Sequence, residues 1–255
     1  MIATHLTHSL LPDAKLKVWS IDTMLSADGW REYVSAVADE SGWDHAIFSN
    51  ETGFAQFVQT VKEKGCPRTR TMHTYVYQKL KERAIDALHM MYKKTRNDKT
   101  LFVSGMRRAE SKYRQNADEV ARVGKSNKIF VAPIVYWSDE HCAQYRIDND
   151  LPDNPFYGTV KGSGDCQCNW GNFITMGTLQ LYSPKLAAGN VAMLDQISRD
   201  LHGYGWDGSP NMEPLFPISA PEEPQMTTPF LCAGCKRKHE RTEAQEYVMM
   251  QRGLF

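Results

Sequence analysis

The chain has 255 residues, and its thirty basic side chains cancel its thirty acidic ones, so no bulk field draws it to nucleic acid or to a membrane surface and any anion recognition has to be local. No apolar stretch approaches the roughly 20 residues that span a bilayer, and no charged leader followed by an apolar core opens the chain, which makes a cytoplasmic protein without a membrane partner the expectation. Six cysteines in a reducing compartment suit metal binding or redox chemistry better than a disulfide framework.

In chain order, Ile2, Leu6 and Leu10 recur at helical spacing until Pro12 and Asp13 stop the pattern, which predicts a helix over residues 2–11. Leu16 to Thr23 reads as a strand ending in the polar pair Asp22 and Thr23. Polar strand ends belong to the crevice where open α/β sheets bind ligands. From Asp28, Trp30, Tyr33, Val34 and Val37 share one helical face and Gly42 closes the helix. The strand HAIFS and the helix FAQFVQTVKEKG repeat the rhythm, and strand–helix alternation of this kind builds a parallel sheet with right-handed crossovers. Tyr77, Leu80, Ala84, Ile85, Leu88 and Met91 then keep a helical period, predicting a long helix from about His73 to Lys94.

The stretch TLFVSGMRRAESKYR follows. Leu101 to Val103 make a short apolar strand that ends at Ser104 and Gly105, after which Arg107, Arg108, Lys112 and Arg114 bring four cationic groups within eight residues. Guanidinium forks bind phosphate or sulfate oxygens bidentately, and a glycine at the strand's end lets backbone N–H groups approach the same anion. An anionic small molecule is the expected guest; a solvated basic turn with Glu110 as internal counter-charge is the alternative. A polar segment, QNADEVARVGKSN, separates this from the apolar run IFVAPIVYW, and Ser138 caps a helix whose first turn carries Asp139 and Glu140.

Beyond residue 150 the texture turns to loop chemistry, with a helix expected at Asn190 to His202, a proline-rich extended arm from Ser209 to Pro229, and a last helix. Cys166-x-Cys168 and Cys232-x-x-Cys235 place four thiols on two tight loops, a spacing that suits tetrahedral zinc or an iron–sulfur cluster. Cys66 and Cys142 read as ordinary thiols. Tyr75, Tyr77 and His73 could stack on a ring, although at helical spacing they read as core or rim, and KRKHER (Lys236 to Arg241) reads as a solvated helix start with nucleic acid as the alternative partner.

Four segments in this order resemble the phosphoadenosine phosphosulfate reductase family of the adenine nucleotide alpha hydrolase-like group: VWSIDT ahead of a helix, LKER at Leu80 to Arg83, SGMRRAESKYR, and APIVYWSDEHCAQYRIDNDLPDNPFY leading into SGDCQC. The resemblance implies an α/β fold, a parallel sheet with helices on both faces, with residues 1–165 as the nucleotide-binding domain and 166–255 as an irregular cysteine-containing extension. It further implies that Asp22, Thr23, Lys81, Arg107, Arg108, Glu110, Ser111 and Arg114 line a site for an adenine nucleotide, namely adenylyl sulfate, its 3′-phosphate form, or ATP. Relatives that reduce adenylyl sulfate carry a 4Fe-4S cluster whose last two cysteines fall where Cys166 and Cys168 stand. Here MHTYVYQKLK replaces the upstream pair, so Cys232 and Cys235 would have to complete any cluster.

Two departures from the family pattern stand out. The phosphate loop Ser-Gly-Gly-x-Asp-Ser is absent, and QRGLF at the end lacks the tail cysteine of the standard reductases. The expectation is therefore sulfur transfer or reduction on an adenylyl nucleotide, with a partner chain or upstream segment supplying the missing strand, or a sheet that has closed up with a different neighbour. The alternative is a non-catalytic, zinc-stabilised nucleotide- or partner-binding module.

Overall fold

Among the described residues, five short strands carry the architecture: β1 (Val18–Asp22), β2 (His45–Ser49), β3 (Thr100–Val103), β4 (Val120–Val123) and β5 (Lys128–Val131). The computed structural model describes residues 1–123, 127–159, 162–168 and 174–211. The expected proline-rich arm beyond Asn211, the expected last helix, KRKHER, Cys232 and Cys235 lie outside the described residues. Among the described residues, no helix is long and apolar enough to cross a membrane.

The described residues fall into two compact units, the first made of Met1–Leu16 and His89–Asp153, the second of Lys17–Leu88 and the described residues from 154 to 211. In the first, β5 is central, pairing in parallel with β3 and antiparallel with β4. Register places Phe102 beside Phe130, and the two rings stack at 5.3 Å. Leu101 and Val103, on the opposite face by the two-residue period of a strand, are exposed. Helix α1 (Ile2–Leu10) is joined to a later helix of this unit, Asp139–Asp148, by a hydrogen bond of 2.9 Å between His5 Nδ1 and the Tyr145 hydroxyl. Ser138 caps that later helix by accepting from the His141 N–H, and the His141 ring reaches back to the Ser138 N–H. A small core of Met106, Ala117, Ala132 and Val135 sits behind the loop that follows β3.

In the second unit, β1 and β2 pair in parallel, and among the described strands β1 has no other ladder partner. Helix α2 (Trp30–Glu40) links the two strands, and α3 (Glu51–Lys64) leaves β2. Next come α4 (Arg70–Tyr77), a π-helical turn at Gln78–Glu82, and α5 (Arg83–Tyr92). The predicted long helix is thus present, with one widened turn inside it. Such turns leave carbonyls short of partners, and they gather at functional sites. Asn50 supplies what this one lacks. Its side-chain oxygen accepts the Gly53 N–H at the start of α3, while its amide donates to the carbonyls of Lys79 and Leu80 at 2.8 and 3.0 Å. Gly53 lets the two elements meet, since a Cβ there would lie 2.1 Å from the Lys79 carbonyl oxygen.

The core of the second unit gathers Leu25, Trp30, Phe57, Val61, Leu80, Leu179, Leu194 and Trp206 around α3 and the helix Ala192–His202. The latter matches the expected Asn190–His202 helix to within a turn. Several elements escaped the sequence reading, among them strand β4 inside the polar segment 115–127, the short helix Phe156–Thr159 within the stretch that reads as loop, and the helix Met176–Tyr182 that follows it.

Candidate functional site

The loop after β3 is held by two backbone bonds, Ser104 N–H to the Val131 carbonyl and Arg108 N–H to the Val135 carbonyl, both 2.8 Å. Its arginines therefore emerge beside the turn that follows β5. Two 3₁₀ turns, Arg108–Glu110 and Lys112–Arg114, then fold the basic run back on itself. Residues three or four apart come face to face in so tight a coil. Glu110 consequently meets both Arg107, at 3.6 Å from Nε, and Arg114 Nη1 in a short ion pair.

Arg107 and Arg114 are 8% and 7% exposed, unusual burial for a guanidinium without paired charge. Arg107 also donates from Nη2 to Asp139 at 2.7 Å, in the first turn of the helix Asp139–Asp148, and from Nη1 to the Trp137 carbonyl. Arg108 turns elsewhere. Its Nε donates to the Ala117 carbonyl at 2.7 Å and its guanidinium lies 4.6 Å from the centre of the Tyr136 ring. Of the basic run, the structure therefore brings Arg107 and Arg114 to one carboxylate and sends Arg108 into the framework. Ser111 is extended between the two turns and its carbonyl accepts the Arg114 N–H at 2.9 Å. Gly105 needs no left-handed backbone, and a Cβ there would meet only the Ala3 side chain at 3.9 Å. Nearby Cys142 has its thiol pKa pushed up by burial, with Arg107 pulling the other way.

In the second unit, Asp22 and Thr23 organise the turn after β1. Asp22 Oδ1 accepts from the Met24 N–H at 2.8 Å and the Ser26 hydroxyl at 3.0 Å, while Oδ2 accepts from Arg31 Nε at 2.7 Å. Met24 thereby holds φ at 61°, a conformation uncommon outside glycine. The Thr23 and Ser26 hydroxyls both donate to the Asp165 carbonyl, at 2.7 and 3.0 Å. Lys81, projecting from the π turn, reaches the Asp165 carboxylate at 2.6 Å, and Ser163 donates to its other oxygen. Arg31 and Asp165 were not singled out from the sequence. Asp165 stood beside a cysteine in the loop, whereas Arg31 is one charge in a helix's first turn, with no signal until the fold brings it to Asp22.

Asp165 leads into Cys166, half-buried, and Cys168, buried. Cys168 Sγ lies 3.5 Å from Nδ1 of the buried His73. Two ligands on a tetrahedral zinc, with bonds of about 2.3 and 2.0 Å, stand about 3.5 Å apart, so this pair has the right separation for two positions of a metal shell. Between the cysteines, neither polar atom of the buried Gln167 amide has a hydrogen-bond partner among the described residues. Among the described residues, no group of three or more His, Cys, Asp or Glu side chains is gathered closely enough to hold a metal ion. Cys168 and His73 therefore stand at a two-ligand separation, and among the described residues no third His, Cys, Asp or Glu side chain joins them.

The family model "Phosphoadenosine phosphosulfate reductase domain" matches residues 1–183. Two curated relatives from two strains of Staphylococcus epidermidis, each described as adenosine 5'-phosphosulfate reductase, are 34% identical to the chain over 65 residues, 26% of this chain and 27% of each relative. The chain thus matches about a quarter of the length of those relatives. A crystal structure of phosphoadenylyl-sulfate reductase from Candida auris in a phosphate complex aligns with a TM-score of 0.45 at 15% identity, covering 64% of this chain and 76% of that one. The domain match runs from the first helix through both the arginine turns and the CQC segment, and on that extent the chain belongs to the phosphoadenosine phosphosulfate reductase family.

Proposed function

We propose that the chain binds an adenylyl nucleotide ending in sulfate or phosphate and serves sulfonucleotide reduction or sulfur transfer, with Arg107 and Arg114 taking the anionic end. The observation that carries this reading is the pair of buried guanidinium groups meeting on one carboxylate just past the carboxyl end of β3. Family membership directs it to a sulfonucleotide. Guanidinium forks match the oxygens of a sulfate or phosphate group, and a partly dry setting makes each charge-assisted bond stronger than in water.

Asp22, Thr23 and Lys81 are proposed as nucleotide-binding residues in the second unit. Asp22 and Thr23 act there by fixing the turn rather than by offering a free carboxylate, and Lys81 presents its ammonium group from the π turn. Cys166 and Cys168 are proposed as two thiolate ligands of zinc or an iron–sulfur cluster, with His73 within reach of the same ion. Such a group would supply electrostatic tuning or sulfur handling. The edge of β1 that no described strand pairs with suits a strand from another segment or chain, since exposed N–H and C=O rows attract pairing.

Calorimetric titration with adenylyl sulfate, 3′-phosphoadenylyl sulfate, ATP and AMP tests the reading. The sulfated nucleotides and ATP, which carry an anionic group beyond the α-phosphate, should bind at least tenfold more tightly than AMP, about 1.4 kcal/mol, and Arg107→Gln should remove that difference. Equal binding of all four, or none, would contradict it.

A further inference from the structure

The nucleotide reading leaves one charge unexplained. Glu110 lies where the guanidinium groups of Arg107 and Arg114 meet, with Oε1 toward the first and Oε2 toward the second. Its side chain is 16% exposed, whereas Asp139, the other carboxylate on Arg107, is 63% exposed. Glu110 and Asp139 already occupy the guanidinium groups of Arg107 and Arg114, so an incoming sulfate or phosphate group has to compete with a resident carboxylate for them. Keeping Glu110, 16% exposed, in place beside a bound sulfate or phosphate group would put like charges together in a partly dry setting, which costs more than in water.

One carboxylate has to yield, and the geometry selects Glu110. Asp139 is anchored by its place in the first turn of a helix, where the macrodipole favours a negative charge. Glu110 ends a three-residue 3₁₀ turn and is followed by Ser111 in extended conformation, so its side chain can rotate outward without unwinding regular structure. Its two oxygens also span the two arginines in the way that two oxygens of a sulfate would.

We infer that Glu110 is the resident counter-ion of the anion site: it holds Arg107 and Arg114 in place and is displaced when a sulfate or phosphate group arrives. Affinity is then a competition between an internal carboxylate and the ligand's oxygens. Glu110 therefore sets a threshold that a weakly charged ligand does not pass. This inference rests on the anion reading of Arg107 and Arg114 and adds the residue that gates them.

The test is titration of the full chain with inorganic sulfate and with adenylyl sulfate, comparing wild type with Glu110→Gln and Glu110→Asp. Glu110→Gln keeps the shape and removes the competing charge, so it should bind inorganic sulfate about tenfold more tightly than wild type, one charge-assisted bond's worth of competition. Glu110→Asp, shorter by a methylene, should tighten binding by a smaller factor, and it serves if the glutamine variant fails to fold. Weaker or unchanged sulfate binding in the variants, with adenylyl sulfate still bound by wild type, would overturn the inference while leaving the nucleotide reading standing. Failure of wild type and variants alike to bind adenylyl sulfate would overturn both.

Discussion

Lys81 Nζ lies 2.6 Å from Asp165 Oδ2, joining a widened helical turn to the segment that carries Cys166 and Cys168. The side chains are 12% and 26% exposed, so each ion leans on the other for part of its solvation. Lys81→Met should destabilise the protein by about 1–3 kcal/mol, because the Asp165 carboxylate keeps its burial and loses its cation. Asp165→Asn, which keeps the shape and leaves an amide oxygen for the ammonium group, should cost less. Urea unfolding midpoints check the order, and equal costs would contradict the pairing.

Asn50 performs two jobs that substitution can separate. Asn50→Ala removes the cap of α3 and both bonds to the π turn, for an expected loss of about 2–3 kcal/mol. Asn50→Asp retains the capping oxygen and places a carboxylate oxygen against the Lys79 and Leu80 carbonyls, where donors stood. If the aspartate variant is as stable as wild type in thermal unfolding, the amide bonds to the π turn contribute nothing.

Cys66 predicts the alkaline behaviour. Burial pushes its thiol up from an ordinary 9.0 to about 12, with the Ser198 hydroxyl and the Arg199 charge opposing and the Asp195 and Asp207 charges adding to the rise. The folded chain therefore keeps a proton that the unfolded chain releases. This contribution is fully present below pH 9 and is lost as pH rises toward 12, at about 1.4 kcal/mol per pH unit. Tyr204, whose hydroxyl bonds to the Cys66 carbonyl and whose pKa burial also raises, adds to the slope at higher pH. Cys66→Ala should flatten the pH dependence of unfolding above pH 9, and an unchanged slope would assign it to other groups.

Arg107 and Arg108 are neighbours in sequence with opposite roles. Arg108→Ala loses a bond to the Ala117 carbonyl and the Tyr136 ring, so it should lower stability by about 1–2 kcal/mol and leave nucleotide affinity within about threefold. Arg107→Gln should weaken adenylyl sulfate binding by at least about tenfold. Titration of both variants checks this, and equal losses of affinity would show that the basic run acts only through bulk charge.

Much of this was legible in the chain. Helical spacing placed α2 and α3 because they bury Trp30 and Val37, and Phe57 and Val61, on one face; it placed α1 as well, although Leu10 of its stripe is exposed, and apolar runs ending in Asp22-Thr23 and Ser104-Gly105 marked the strand ends that carry candidate residues. Strand β4 was hidden because its four residues include Arg122 and an exposed Val120; the pairing with β5 makes it a strand, not its own pattern. The helix Met176–Tyr182 hid among Gly, Asn and Thr, where the signal is the Thr175 hydroxyl accepting the Thr178 N–H. That Arg108 parts from Arg107, or that Arg31 reaches Asp22 across nine residues, depends on side-chain direction, which spacing alone does not encode.

The most direct measurement is a crystal structure of the chain with adenylyl sulfate. The account predicts sulfate oxygens about 2.7–3.2 Å from guanidinium nitrogens of both Arg107 and Arg114, with the Glu110 carboxylate turned away. A bound nucleotide whose sulfate sits elsewhere, with both guanidinium groups still on Glu110, would contradict it.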